Sequence, residues 1–502
     1  MKKTIIICGS FFTILMSCFL LHAQNPVKHI SEYFNHLHTF DQFNGNALIA
    51  VNNKIIYQQS LGFADQSKKV LHTKNTRFPI ASITKPFTAT AILQLKQKGK
   101  LTLDDAVQKY LYEFPYQNVT IRHLLSNTSG LPQYYDIFNN IMEQDPTRLI
   151  SNHDLIPVFV QNNLPLQFNP GDQWEYNNTN FCIAALIIEK VSGLTFAEYL
   201  HTYIFNPAGM KNTLQPANRK DVYPQQTERY TFTNLYTTTL ENTRNIPDVF
   251  TINERSNFYG NGGMISTAED LYQFDKSLYN GSLLGAEELE EAFTPAKLNN
   301  GKNATYYLDE KEVYYGLGWE IFSDEKYGKV VFHDGSLSGL TTMLMRNITK
   351  KQTIIILDNT GSNAVFAASN ALLSMLNQQP YQPASRDFSR FYGYTVVEKE
   401  KNDAEILLND YFLKPEKYRV TERQLIRLGY ELLRHNKKEN AIVVFKAATM
   451  IFPKNWNTFD SYGEALLLTN QKEEAIRMYK KSIELNPDNE NGKKVLRDIS
   501  GN

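Results

Sequence analysis

Cysteine is nearly absent from this chain of 502 residues: Cys8, Cys18 and Cys182 are all it has. Two of them fall in an N-terminal segment that reads as removable, so the mature chain keeps one thiol and no internal disulfide. Net charge is missing too, with 52 Lys and Arg against 52 Asp and Glu. That balance supplies no electrostatic footprint for nucleic acid or an acidic membrane, and nucleic acid is not expected as a partner. Past Leu21 no apolar run is long enough to span a bilayer, so no membrane span is expected once the N-terminal segment is removed. The patterns H-E-x-x-H and G-x-S-x-G are both absent and the histidines are scattered. No metal and no cofactor is therefore expected, and a hydrolase built on a nucleophile elbow is disfavoured.

What is present is a large apolar supply: 42% hydrophobic and 12% aromatic residues, enough for a sizeable core. The length implies two or more domains. The chain starts MKKTIIICGSFFTILMSCFLLHAQN, with Lys2 and Lys3 ahead of an apolar stretch from Ile5 to Leu21 and a small residue, Ala23, before Gln24. This is read as a secretory signal peptide over residues 1–23, which sends the protein to the periplasm or outside the cell. An uncleaved anchor would share these features. Lipidation at Cys18 fits less well, because the apolar run continues past it. Cys182, within FCIAALIIEKVSG, is expected in the core.

Two strand-like runs flank Asn52-Asn53 in NALIAVNNKIIYQQSLGFAD, the signature of a hairpin. Helical patterns occupy the middle, and short β-rich runs return late in KVVFHDGS, LTTMLMRNI and QTIIILDN. Strands at both ends with helices between them predict an α+β fold: one antiparallel sheet flanked by helices, plus a mostly helical lobe. From about residue 422 the character changes. LIRLGYELLRHNKKENAIVVFKAATMIFP aligns with FDSYGEALLLTNQKEEAIRMYKKSIELNP so that Gly429 meets Gly463, Ala441 meets Ala475, Phe445 meets Tyr479 and Pro453 meets Pro487, every offset being 34. That is the tetratricopeptide period, in which small residues let two helices cross closely, and it predicts a small all-α module with a possible protein partner. Two repeats are fewer than a free-standing array usually needs, so the preceding region or the closing NGKKVLRDI must complete them. The expected organisation is 24–385 as one domain, 386–418 as a linker and 419–502 as the repeat region.

FPIASITKPFTATAILQLKQKG carries Ser82 and Lys85 at the start of an apolar helix. Residues three apart share a helix face, so Ser82, Lys85, Ala89 and Ile92 form one stripe. An amine on an inward stripe loses hydration, which favours its neutral form. A neutral amine beside a hydroxyl can act as its base and make the serine a nucleophile. S-x-x-K alone is a weak pattern, and Ser323 to Lys326 repeats it among charges in a turn. Partners decide the matter. FNPGDQWEYNNTNF places Tyr176 and Asn178 just ahead of a helix, and KVVFHDGSLSG places His333, Asp334, Gly335 and Ser336 at a strand end. Taken singly, Tyr176 fits a core aromatic, Asn178 a helix N-cap and His333 a structural residue.

In this order the three motifs resemble those of the serine β-lactamase and penicillin-binding-protein-like hydrolases, in the branch of class C β-lactamases, D-amino-acid peptidases and esterases. RHLLSNTSGLP, IFNPAGMKNT, GNGGMISTAEDLYQF and YGLGW extend the resemblance over roughly residues 30 to 375. It implies that Ser82 is acylated, that Lys85 or Tyr176 takes its proton, and that Asn178 orients Lys85 and binds a substrate amide. It also implies an oxyanion hole from the backbone N–H groups of Ser82 and Ser336, with His333 and Gly335 lining the pocket. Two departures stand out. His333 replaces the lysine of K-T-G, which puts efficient β-lactam turnover in doubt, and Asn127 replaces a histidine in a way read as structural. The resemblance therefore implies acyl transfer on D-residue-containing peptides or amides, or on small esters. A β-lactamase is the alternative, and an inactive binding protein working through its repeats is the alternative of another class.

Overall fold

Asn52 and Asn53 both adopt positive φ, 51° and 60°, as a two-residue hairpin turn requires. They join β1 (Gly45–Val51) to β2 (Lys54–Leu61). In this computed structural model the described residues are 26–145, 147–218, 221–246, 256–308 and 311–500. The signal peptide expected at 1–23 lies outside them.

The late β-rich runs pair with this hairpin. Strands β3 (Thr305–Leu308), β4 (Lys311–Tyr315), β5 (Glu320–Asp324), β6 (Gly328–Leu337), β7 (Leu340–Asn347) and β8 (Gln352–Asp358) complete an eight-stranded sheet ordered β2-β1-β8-β7-β6-β5-β4-β3. All its pairings are antiparallel. The first and last sheet segments of the sequence meet directly, with Gly45 opposite Asp358 and Val51 opposite Gln352. Both β7 and β8 are buried along their whole length, as expected of strands covered on both faces.

Helices α1 (Pro26–Thr39), α2 (Thr84–Gln97), α3 (Asn178–Ser192), α4 (Ala268–Tyr279) and α5 (Ala364–Leu376) accompany the sheet. Helix α2 is buried from Thr84 to Leu95 and α3 from Thr179 to Ile188, so both run through the core, where Cys182 is also buried. Arg346 on β7 reaches Asp275 on α4 at 2.8 Å, and Asp275 also accepts from Thr353 on β8 at 2.7 Å. This buried pair ties α4 to the sheet. Among the described residues no single helix is long and apolar enough to cross a membrane. One bent pair, Asn178–Ser192 with Phe196–Ala208, meets the length and composition together, but α3 within it is a core helix.

The described chain divides into two units, residues 26–38, 43–229 and 256–382 in one, and 39–42, 230–246 and 383–500 in the other. The second unit corrects the expected linker at 386–418. That stretch forms α6 (Phe388–Glu398) and α7 (Lys401–Leu413), whose Phe388, Tyr392, Leu407 and Leu408 share one core with Leu425, Leu428 and Phe445 of the repeats. Two repeats cannot bury their outer faces alone, and this helix pair supplies the missing cover. The repeats are α8 (Glu422–Arg434) with α9 (Lys438–Ile451) and α10 (Trp456–Leu467) with α11 (Lys472–Leu485), closed by α12 (Glu490–Ser500). A Cβ on Gly429 would lie 2.4 Å from Phe445, and one on Gly463 would lie 3.0 Å from Tyr479, which is why both repeats have glycine there. The second unit also recruits residues 230–246 from the middle of the sequence, where Tyr230–Phe232 and Leu240–Asn242 pair as a small hairpin. Its Leu235 N–H donates to Glu431 at 2.9 Å and its Asn234 carbonyl accepts from Arg390 at 2.9 Å.

Candidate active site

Ser82 does not lie within the α-helix itself. It sits in a 3-10 turn, Ala81–Ile83, that feeds directly into α2. A 3-10 turn eclipses residues three apart, so the S-x-x-K spacing still brings the two side chains together. Ala81 has φ +46°, a left-handed conformation that a residue with a Cβ adopts only under strain. The strained residue immediately precedes Ser82. Pro86 falls in the first turn of α2, where its missing N–H leaves no helical bond unmade.

Lys85 is fully buried. Its Nζ lies 2.9 Å from Ser82 Oγ, 2.7 Å from Asn178 Oδ1 and 2.9 Å from the Asn261 carbonyl oxygen. Two of these neighbours can only accept a hydrogen bond, whereas the serine hydroxyl can also donate. All three accept from Nζ here, and once Lys85 gives up its extra proton its lone pair can turn to the Ser82 hydroxyl, the one neighbour of the three that can also donate. The second S-x-x-K copy gains no such surroundings, since Ser323 and Lys326 are exposed at a strand end and turn.

The N-cap of α3 is Asn177, whose side chain accepts from the Thr179 N–H at 2.8 Å. Asn178 is thereby released from capping and turns its Oδ1 to Lys85, while its Nδ2 donates to the Tyr135 hydroxyl at 2.8 Å. Asn127 supports this segment. It is buried with φ +58°, and its Oδ1 accepts from the Asn177 N–H at 3.2 Å and from Asn180 at 2.9 Å. Asparagine tolerates the left-handed region, which accounts for its presence there and gives it the structural role expected.

Lys85 Nζ lies 4.7 Å from the centre of the Tyr176 ring. Burial pushes the Tyr176 phenol well above its ordinary value, and the neighbouring Tyr315, Asp334 and Glu320 push it the same way. A hydrogen bond with Ser82 opposes this only in part. The phenol is therefore held protonated.

The third motif is positioned by the way β5 stops. It pairs with β6 only over Gly328–Phe332, while β7 pairs with β6 from Val330 to Leu337. One edge of His333–Leu337 thus has no strand partner among the described residues. Gly335 brings that segment against the Ser82 turn: a Cβ there would lie 2.3 Å from the Ile80 carbonyl oxygen and 3.1 Å from Ala81 Cβ. Thr342 fastens the contact by donating to the Ile80 and Gly335 carbonyls, both at 3.2 Å. Ser336 follows, exposed on the strand.

His333 is fully buried, and its ring centre lies 6.2 Å from that of Tyr176. Burial and the nearby Lys85 push its pKa down to about 3, so the ring is neutral. Its Nδ1 is 2.7 Å from the Asp334 carbonyl, which can only accept, so Nδ1 carries the hydrogen and Nε2 faces the Tyr315 hydroxyl at 3.4 Å. Behind it Glu320 is buried and receives a hydrogen bond from Tyr306. Burial and the adjacent Asp334 push the Glu320 carboxyl well above its ordinary value, and burial also raises Asp334. The two titrate as a pair, with a proton held on the more deeply buried Glu320.

Ligand atoms of Glu320, His333 and Asp334 lie within 4.8 Å of one another. The histidine nitrogen facing Glu320, at 3.8 Å, is the one that carries hydrogen. It cannot ligate a metal in that tautomer, so these residues do not form a ready metal site.

The structure thus brings Ser82, Lys85, Tyr176, Asn178, His333 and Gly335 into one cluster. Sequence reasoning missed Asn261, Tyr135, Tyr315 and Glu320 as members. The Asn261 contact is through its backbone carbonyl, for which residue type gives no signal. An acid opening the apolar strand EIF was a visible signal for Glu320.

A lysine-backed serine set between an antiparallel sheet and a bed of core helices defines a class of serine hydrolases that work by acyl transfer. The chain belongs to the β-lactamase family, whose model matches residues 38–377. A tetratricopeptide-repeat model matches residues 459–489. Penicillin-binding protein 4* of Bacillus subtilis is 35% identical over 396 residues, which cover 75% of this chain and 84% of that protein. The crystal structure of a penicillin-binding protein from Bacillus halodurans superposes with a TM-score of 0.56 at 28% identity, covering 68% of this chain and 98% of the other. The D-amino acid amidase of Ochrobactrum anthropi SV3, complexed with D-phenylalanine, shares the fold with a TM-score of 0.56 at 20% identity, covering 69% and 99%.

Proposed function

We propose that this protein is an exported serine hydrolase that forms an acyl-ester at Ser82 and acts on D-residue-containing peptides or amides, or on small esters. The observation that carries the reading is the lysine: Nζ sits 2.9 Å from Ser82 Oγ and also donates to the Asn178 side-chain and Asn261 backbone carbonyl oxygens. In that geometry Lys85 takes the Ser82 proton as Oγ bonds to the substrate carbonyl carbon. The negative charge that develops on the carbonyl oxygen falls to the N–H groups of Ser82 and Ser336. Such a donor is worth about 10²–10³ in rate. Collapse breaks the bond to the leaving group, which takes a proton relayed from Lys85 through the Tyr176 hydroxyl. Water then repeats the sequence and frees the acid. A protonated Tyr176 favours Lys85 as the base and leaves the phenol as relay.

A neutral His333 supports placing β-lactams second, because it offers no fixed charge to a substrate carboxylate. Export rests on the N-terminal Lys2-Lys3 pair followed by its apolar stretch. The repeat region is assigned a protein partner.

A fluorophosphonate probe followed by mass spectrometry tests the central step. The adduct is expected on Ser82 and is expected to vanish in Ser82→Ala. An adduct on another residue, or none, refutes the reading.

A further inference from the structure

We propose that Asp334, backed by Glu320, makes the cleft select substrates with a positively charged amine beside the scissile carbonyl and disfavour those with a carboxylate there. The inference rests on Ser82 being the acylated residue.

Position comes first. Asp334 lies between His333, whose ring meets Tyr176, and Gly335, which rests on the Ile80 carbonyl and Ala81. It is therefore on the strand segment that borders Ser82, and it keeps partial contact with solvent. Charge comes second. The charges acting on Glu320 in this corner are Asp334 and Lys85. Lys85 already serves Ser82, Asn178 and Asn261, while His333 is neutral. An incoming anion meets no fixed cation from the strand and faces a carboxyl pair.

The walls point the same way. Trp174 stacks on Tyr306 at 5.0 Å and tilts against Tyr315 at 5.7 Å, and Tyr176 meets Tyr315 edge-on at 6.4 Å. Aromatic faces carry negative quadrupole density, which attracts ammonium groups and repels carboxylates. Carboxyl groups among aromatic rings make an amine-binding corner. A divalent cation fits it less well, since the His333 nitrogen nearest Glu320 carries hydrogen.

One unit charge at about 6 Å, at an effective dielectric of about 40, changes affinity by roughly tenfold, upward for an amine and downward for a carboxylate. The test uses the full chain and p-nitrophenyl esters of D-alanine with the amine free, N-acetylated or N-succinylated. We expect kcat/KM in that order, with about 10²-fold between the first and last. In Asp334→Asn this ratio should shrink at least tenfold, and Asp334→Ser serves if that variant does not fold. An equal or reversed order in the wild type overturns the inference, as does no turnover of any of the three. A ratio that collapses on treatment with EDTA also overturns it, in favour of a bound metal. Fluorophosphonate labelling of the same preparation separates the two ideas. A label on Ser82 with no amine preference sinks this inference alone, whereas no label removes the hydrolase reading beneath it.

Discussion

Replacing Gly335 by alanine tests how closely the strand and the Ser82 turn must fit. The added Cβ would stand 2.3 Å from the Ile80 carbonyl oxygen and 2.5 Å from Thr342 Oγ1, against an ordinary contact of 3.4 Å or more. The Ile80 oxygen belongs to backbone and cannot swing away, so relief requires a displacement of roughly 1 Å between β6 and the turn. That displacement separates the two backbone donors proposed for the oxyanion, Ser82 and Ser336. A misplacement of about 1 Å at a reacting centre lowers rate by about 10²-fold. Overpacking also destabilises the fold, typically by about 1–3 kcal/mol, which a domain of this size survives. The assay is kcat/KM on a p-nitrophenyl ester, with urea unfolding alongside. We expect a fall of about 10²-fold in kcat/KM in protein that still unfolds cooperatively. Activity within about threefold of the wild type would show that the strand does not set the donor geometry, and the argument from Gly335 would be wrong.

Lys85→Met should reduce kcat/KM by about 10²–10⁴-fold while the protein stays folded, because losing donors to two carbonyls is offset by removing a desolvated amine. Fluorophosphonate labelling at the wild-type rate in this variant would contradict Lys85 as the base. His333 has a native pKa of about 3 against an ordinary 6.5. Its ring signals should not titrate by NMR between about pH 5 and 8, and a midpoint near neutrality would refute its burial as a neutral ring. As pH falls from 6.5 toward 3 the unfolded chain takes up this proton first, so the contribution of His333 to stability declines in that window and is flat above it. Asp275→Asn leaves the buried Arg346 without its carboxylate and should lower unfolding free energy by about 3–5 kcal/mol. A loss below about 1 kcal/mol by denaturant titration would mean that the pair does not hold α4 to the sheet.

Much of this molecule was legible in its sequence because short-range rules govern it. The Asn52-Asn53 turn, the apolar late strands and the 34-residue offset between Gly429 and Gly463 are local patterns, and each is found where expected. The linker was misread because α6 and α7 have amphipathic faces but no repeat signature, and their role depends on apolar surface left uncovered elsewhere. The place of residues 230–246 was not legible for a related reason. Their partners, such as Glu431 and Arg390, lie more than 150 positions later in the chain, a distance over which no periodicity carries information.

By itself, the sequence determined the chemistry on offer. It placed a hydroxyl three residues from an amine, a phenol two from an amide, and an imidazole two from a glycine. These are covalent facts, and spacing along a turn or strand preserves them. The tertiary structure decided what those groups can do. Burial stripped water from Lys85, the ring of His333 and the carboxyls of Glu320 and Asp334, and the energy of a charge depends on its surroundings more than on its residue type. Whether the lysine is a base, the histidine neutral and the acids a proton-sharing pair follows from distances and dielectric, which exist only once β6, the Ser82 turn and α3 have met.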